Sequence, residues 1–295
     1  MDDKLRGVII PVATPFVRDE LSLDMLIYNI QRWNPTHIRG YMALGSNGES
    51  RSLSDDEACS VIETIAAHKS EDKLLMAGVT KESLPLSLEF IDRMAQCGAD
   101  YASVLTPHYF AKAMDDEALK NYYLKLADRS VLPIFIYCAP SFANGVVLSA
   151  KVLTEVASHP NIVGIKDTSS NMMQAYCDAA SGRDDFTIYA GSIKNIMIGL
   201  LGGAAGGVVS AANYLPEECA KVTDLFFAPG GEQDAIAWHA QILDLAERSA
   251  APYGIRGLKA CMNILGYQAG DPRTPVLPLG EGEIAQLREL LQPKG

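Results

Sequence analysis

The chain of 295 residues has no CxxC pair, no HExxH or HxH spacing among its five histidines, and no cluster of lysines and arginines. The first two absences remove the familiar zinc-ligand spacings, so no metal is expected. The third, with a formal net charge of −11, argues against a nucleic-acid or anionic-membrane surface, because binding to phosphates depends on a positive field. No GxGxxG follows the first apolar run, and neither a P-loop nor a GxSxG elbow is present. A dinucleotide fold, a nucleoside-triphosphate site and a serine-hydrolase site are therefore disfavoured. The six cysteines (Cys59, Cys97, Cys138, Cys177, Cys219, Cys261) are scattered through segments of helix or strand character. That pattern fits buried, reduced thiols in a cytoplasmic protein better than a disulfide framework. Met1-Asp2-Asp3-Lys4 lacks the apolar region of a signal peptide.

Charge is also missing from residues 195–216, which contain Gly199 and Gly203, then Gly203 and Gly207, at four-residue spacing. Length and glycine spacing suit a membrane helix. Gly202-Gly203 and Gly206-Gly207 would break such a helix, and Val208-Val209-Ser210 reads as a strand. The span is expected to be a short helix, a glycine loop and a buried strand, outside any membrane.

What is present is an alternation. With 48% hydrophobic and 21% charged residues, the composition supports a sizeable core. Short apolar runs of strand type fall at 7–12, 40–44, 74–77, 101–105, 134–137, 162–166, 187–190 and 207–210. Between them, apolar residues at helical spacing predict helices over 23–33, 54–69, 84–97, 115–129, 148–157, 172–180 and 193–201. Ser54 and Glu57 stand as a capping box, and Asp55-Asp56 and Asp115-Asp116 read as charges that complement helix starts. Eight strands alternating with helices predict parallel strands in a closed (β/α)8 TIM barrel, with a doubly wound open sheet as the alternative. Beyond Pro216 only helices are expected, over 217–227, 233–248, 255–265 and 283–291. The first completes a barrel domain at 1–228; the others form a C-terminal helical appendage at 229–295.

In such barrels chemistry sits at the carboxyl ends of the strands. The run Ile162-Val163-Gly164-Ile165-Lys166-Asp167 ends on a lysine before the turn residues Thr168, Ser169 and Ser170. A strand-end lysine ordinarily extends its ammonium into water. Held among apolar groups instead, Lys166 would have a lowered pKa and could attack a carbonyl as a Schiff-base nucleophile. The same rim receives Ser46 and Asn47 in a glycine-framed turn, Tyr109 after the fourth strand and Tyr137 at the end of the fifth. Taken singly, these are a turn and two core-edge rings. Together they supply an imine-forming amine, donors for a carboxylate and a phenol to relay protons, as a Schiff-base enzyme acting on a 2-oxo acid requires.

Pro11-Val12-Ala13-Thr14-Pro15-Phe16, Gly45-Ser46-Asn47-Gly48-Glu49, Thr106-Pro107-His108-Tyr109, Tyr137-Cys138-Ala139-Pro140 and Gly164-Ile165-Lys166-Asp167 occur in that order. With them the chain resembles the dihydrodipicolinate synthase and N-acetylneuraminate lyase family of pyruvate-dependent aldolases over nearly its whole length. The resemblance implies that Lys166 forms the imine with pyruvate or a related 2-oxo acid and that Tyr137 relays protons beside it. It implies that Ser46 and Asn47 bind the carboxylate, and that Ser46 links Tyr137 to Tyr109, which would reach in from a neighbouring subunit. Gly191, Ser192 and Val208 join the substrate-binding set on the same basis. No cofactor beyond the covalent imine is implied, and a homotetramer built as a dimer of dimers is.

Within the family, His159-Pro160-Asn161-Ile162-Val163-Gly164, Ala190-Gly191-Ser192 and Tyr253-Gly254-Ile255-Arg256-Gly257-Leu258-Lys259 are similar to the 4-hydroxy-2-oxoglutarate aldolase branch. Synthases carry an arginine after the tyrosine-proline segment to clamp a second carboxylate. Here Pro140-Ser141-Phe142-Ala143-Asn144-Gly145 has none. Ile193 and Lys194 stand where the lyase branch has acidic residues for sugar hydroxyls. The expected activity is a pyruvate-dependent lyase, cleaving or condensing a 2-oxo acid such as 4-hydroxy-2-oxoglutarate. Synthase-type condensation, a 2-keto-3-deoxy acid aldolase or dehydratase, and a non-enzymatic oxo-acid sensor are the alternatives.

Overall fold

The computed structural model describes residues 3–169 and 171–291; the turn residue Ser170 lies outside the described residues. β1 (Gly7–Pro11) leads into a small hairpin, β2 (Phe16–Val17) and β3 (Glu20–Leu21), and then α1 (Leu23–Trp33). The chain then alternates through β4 (Gly40–Ala43), α2 (Asp55–His68), β5 (Leu74–Val79), α3 (Leu84–Gln96), β6 (Tyr101–Leu105) and α4 (Asp116–Ala127). It continues through β7 (Ile134–Cys138), α5 (Ala150–Val156), β8 (Ile162–Asp167), α6 (Met173–Ala179), β9 (Thr187–Ala190), α7 (Ile193–Leu201) and β10 (Gly206–Val208). Four helices follow: α8 (Pro216–Phe227), α9 (Glu232–Arg248), α10 (Ile255–Ile264) and α11 (Glu281–Leu291). Apart from the hairpin, the strands close a parallel barrel in the order β1-β10-β9-β8-β7-β6-β5-β4. The expected (β/α)8 barrel is what the chain forms.

The local signals explain the elements. The capping box at α2 is complete: Glu57 N donates to Ser54 Oγ at 3.1 Å and Ser54 N donates to Glu57 Oε2 at 2.9 Å. Asp115 caps α4 by accepting from Ala118 N at 2.9 Å, so that helix starts one residue later than predicted. All five residues of β7 are buried, because a parallel barrel strand is covered by side chains inside and by helices outside.

Two expectations need correction. The β2–β3 hairpin was not anticipated, since strands of two residues carry no periodicity. The last barrel strand ends at Val208, whereas the apolar run predicted strand to Ser210; Ser210–Asn213 instead winds into a 3-10 turn. The buried Asn213 is the cause. Its Nδ2 donates to Ser210 O and Pro11 O, and its Oδ1 accepts from Ala13 N, taking the carbonyl that a longer strand would use. Closure itself depends on Gly206, at φ 153°, where a Cβ would lie 2.0 Å from Gly7 O. The uncharged span divides into α7, β10 and the 3-10 turn. Among the described residues no helix is long and apolar enough to cross a membrane.

Candidate active site

Strand register brings the first two site residues together. Lys166 on β8 pairs with Tyr137 on β7, and in a parallel ladder paired residues face the same side. Both point into the barrel mouth, where Lys166 Nζ lies 4.1 Å from the centroid of the Tyr137 ring. Two residues earlier on the same face, Gly164 leaves room for the ring of Phe135: a Cβ there would meet it at 2.4 Å. The amine therefore stands above an aromatic floor.

Lys166 is 5% exposed, so it does not extend into bulk water. Its Nζ donates to the Met42 sulfur at 3.4 Å and lies against the Tyr137 phenol. The other buried lysines differ. Lys73 donates to the Thr36 and Ile38 carbonyls and lies 3.1 Å from Asp72, and Lys259 lies 2.7 Å from Glu49. Lys166 has no carboxylate partner among the described residues. Desolvation lowers its pKa, and the Tyr137 hydroxyl opposes this only in part. An amine in that position is neutral over more of the pH range than an ordinary lysine.

The loop after β4 supplies the next group. Ser46 Oγ lies 3.4 Å from the Tyr137 hydroxyl, and Asn47 Nδ2 donates to Ser210 Oγ at 2.7 Å. Within the loop, Gly48 N and Glu49 N bond back to Gly45 O and Ser46 O, while the amides of Ser46 and Asn47 have no partner among the described residues. Leu44, at φ 60°, turns the chain from strand into loop at a strained angle, of the kind that collects at functional sites.

Lys166, Tyr137, Ser46, Asn47, Gly191, Ser192 and Val208 all line one cavity of about 400 Å³ at the barrel mouth. Ser192 is also the N-cap of α7, its Oγ accepting from Asn195 N at 3.3 Å. Tyr109 does not line it. Its ring is 74% exposed and packs edge-on against Phe110, with centroids 4.9 Å apart. Sequence reading missed the outer wall, made by Ala246, Glu247 and Ala250 at the end of α9 and by Ile255 and Leu258 of α10. These residues carry no catalytic signature; only the Tyr253–Lys259 motif hinted that this region mattered. Phe142 and Lys194 also stand on the wall. Among the described residues, no group of three or more His, Cys, Asp or Glu side chains is placed to hold a metal ion.

A sequence model of the dihydrodipicolinate synthetase family matches residues 4–294. The chain belongs to that family. A curated member, 4-hydroxy-tetrahydrodipicolinate synthase of Xanthomonas axonopodis pv. citri, is 31% identical over 93% of this chain and 90% of its own length. L-threo-3-deoxy-hexylosonate aldolase of Hypocrea jecorina is 25% identical over 96% of this chain and 94% of its own. A solved structure of a dihydrodipicolinate synthase family protein from Coccidioides immitis has a TM-score of 0.86 and 27% identity, covering 97% of this chain and 94% of its own. As a member of the dihydrodipicolinate synthetase family, the protein is an enzyme of the aldolase or lyase type.

Asp167, the next residue on β8, points to the opposite face, toward α6. There Ser169 N donates to its Oδ1 at 2.9 Å, and Oδ2 has no partner among the described residues. Burial pushes its carboxyl up to about 6. The folded chain therefore holds this proton more tightly than the unfolded one. The cost of burying the charge is fully present above about pH 6, fades as the pH falls from about 6 to about 4, and is absent below that. In chemical denaturation, the stability of Asp167→Asn relative to wild type should rise by on the order of 2–3 kcal/mol between pH 4 and pH 7.5. A difference independent of pH would show that no charge is buried there.

Proposed function

We propose that the protein is a pyruvate-dependent class I aldolase whose Schiff-base nucleophile is Lys166. The observation that carries this reading is a buried amine with no anionic partner, opening into a cavity beside a phenol. The buried Lys73 and Lys259 are each held by backbone carbonyls and paired with a carboxylate; Lys166 has no carboxylate partner among the described residues.

In the proposed reaction, the neutral amine adds to C2 of the 2-oxo acid and water leaves, giving an iminium. The iminium withdraws electrons from C3, so a proton can depart and the enamine can attack an aldehyde carbon. Cleavage runs the same steps in reverse. The Tyr137 hydroxyl, 3.4 Å from Ser46 Oγ, carries protons to and from the oxygen that changes state. The unpaired amides of Ser46 and Asn47 hold the carboxylate, with the Ser46 hydroxyl shared between carboxylate and relay. Gly191, Ser192 and Val208 form the remaining wall around the bound acid.

For the substrate, motif similarity favours 4-hydroxy-2-oxoglutarate, which would be cleaved to pyruvate and glyoxylate. Phe142 on the cavity wall, in the segment where a synthase has an arginine, weighs against synthase condensation. A 2-keto-3-deoxy sugar acid is the second reading. It is supported by a cavity of about 400 Å³, larger than a five-carbon acid needs, and by the name of the Hypocrea relative. We place the protein in the cytoplasm as a homotetramer, with Tyr109 extending the Ser46–Tyr137 relay of a neighbouring subunit; its exposed ring supports this.

Borohydride added in the presence of pyruvate should leave a stable adduct on Lys166, read by peptide mass mapping. An unmodified Lys166 peptide would remove the imine. Tyr137→Phe should keep the fold and the adduct while lowering kcat by about 10²-fold or more, and turnover equal to wild type would remove the relay. Specific activity followed with sedimentation across a dilution series should fall as the tetramer dissociates; full activity in a monomer would take Tyr109 out of the site.

A further inference from the structure

The loop that carries Ser46 and Asn47 ends on Glu49, which is held at φ 50°. Its carboxylate turns inward. Oε1 lies 2.7 Å from Lys259 Nζ, with the two side chains 7% and 1% exposed, and Oε2 accepts from Arg273 N at 2.9 Å. Lys259 Nζ also donates to Asp271 O at 2.9 Å and lies 4.4 Å from the centroid of the Phe16 ring. The Arg273 guanidinium lies 4.4 Å from the same ring and grips the Glu57 carboxylate with two hydrogen bonds, at 3.0 and 2.6 Å. On the other side of the loop, Thr14 Oγ1 donates to Gly48 O at 2.8 Å.

Stability alone does not account for this arrangement. Two buried charges lose their hydration, and replacing such a pair with apolar side chains is often neutral or stabilising. What a buried ion pair supplies is position, since a movement that parts the two charges leaves each buried and uncompensated. Here the position matters two residues from Asn47. Lys259 also follows Leu258 on α10, so the ion pair ties the helix that walls the cavity to the loop with the free amides.

We propose that the Glu49–Lys259 ion pair is a positioning element that holds the Ser46 and Asn47 amides at the distance from Lys166 that a 2-oxo acid carboxylate requires. The inference rests on the imine reading of Lys166. Neither Glu49 nor Lys259 touches the reacting atoms. Their contribution is confined to ligands that carry a carboxylate.

The double variant Glu49→Gln/Lys259→Met removes both charges and leaves neither buried alone. The measurement is the concentration of pyruvate that half-saturates borohydride trapping on the Lys166 peptide. It is compared with the same quantity for acetaldehyde, which forms an imine but has no carboxylate. Half-saturation by pyruvate is expected to rise about ten-fold or more and that by acetaldehyde to stay within about two-fold. Amide exchange over residues 44–50 should quicken. Equal rises for both carbonyls, or no change for pyruvate, would reduce the pair to a structural role. If the double variant does not fold, Glu49→Asp keeps the charge but shortens its reach, and the same selective loss for pyruvate is required of it. A wild-type protein that traps neither carbonyl would overturn the imine reading itself. Amide exchange then still decides whether the pair fixes the loop.

Discussion

The site depends on the desolvation of one amine. Lys166 sits at the end of a strand, where a side chain of its length could ordinarily reach water, yet the ring of Tyr137, the sulfur of Met42 and the cavity walls enclose it. Burial without a counter-charge makes the neutral form the cheaper one. Everything around it fits that choice. Gly164 lets the Phe135 ring rise beneath the lysine, the β7–β8 register sets the phenol beside it, and the loop after β4 brings donors while its carboxylate, Glu49, turns away to Lys259.

The same strand end carries a second desolvated group with the opposite response. Asp167 faces the helices, and its carboxyl is pushed up where the Lys166 amine is pushed down. In an antiparallel sheet with one wet face, alternation would place one of two neighbouring residues in solvent. A parallel barrel has no wet face along its strands, because helices cover the outside as side chains fill the inside. Adjacent residues can thus both be buried while pointing apart. Their titrations belong to separate environments.

Much of the architecture could be read from the order of residues. Alternating apolar runs and helical spacings specify a barrel, and Ser54 with Glu57 marks a helix start to the residue. The place of Lys166, Tyr137 and Ser46 at the barrel mouth was legible because the carboxyl ends of barrel strands and the loops after them gather there; Lys166 and Tyr137 are next to last on β8 and β7, and Ser46 lies in the loop after β4. The β2–β3 hairpin was not, since four residues hold too little pattern. The end of β10 was hidden because Asn213, a tertiary partner of β1, decides it. The outer wall from α9 and α10 escaped for a third reason. Its alanines, leucine and isoleucine differ in no way from core residues until the chain has folded back over the mouth, some eighty residues after Lys166 in sequence.

That fold-back has a consequence in time as well as in space. β1 is one of the first elements made, and its ladder partner β10 comes about two hundred residues later, with α10 later still. On a ribosome adding roughly 5–20 residues per second, the barrel stays an open sheet for many seconds after β1 has emerged. Lys166 is made only about forty residues before that last strand, and the cavity around it is incomplete until the strand arrives. The buried environment of that amine is completed last, when the final strand closes the ring and the α9 and α10 residues wall the cavity.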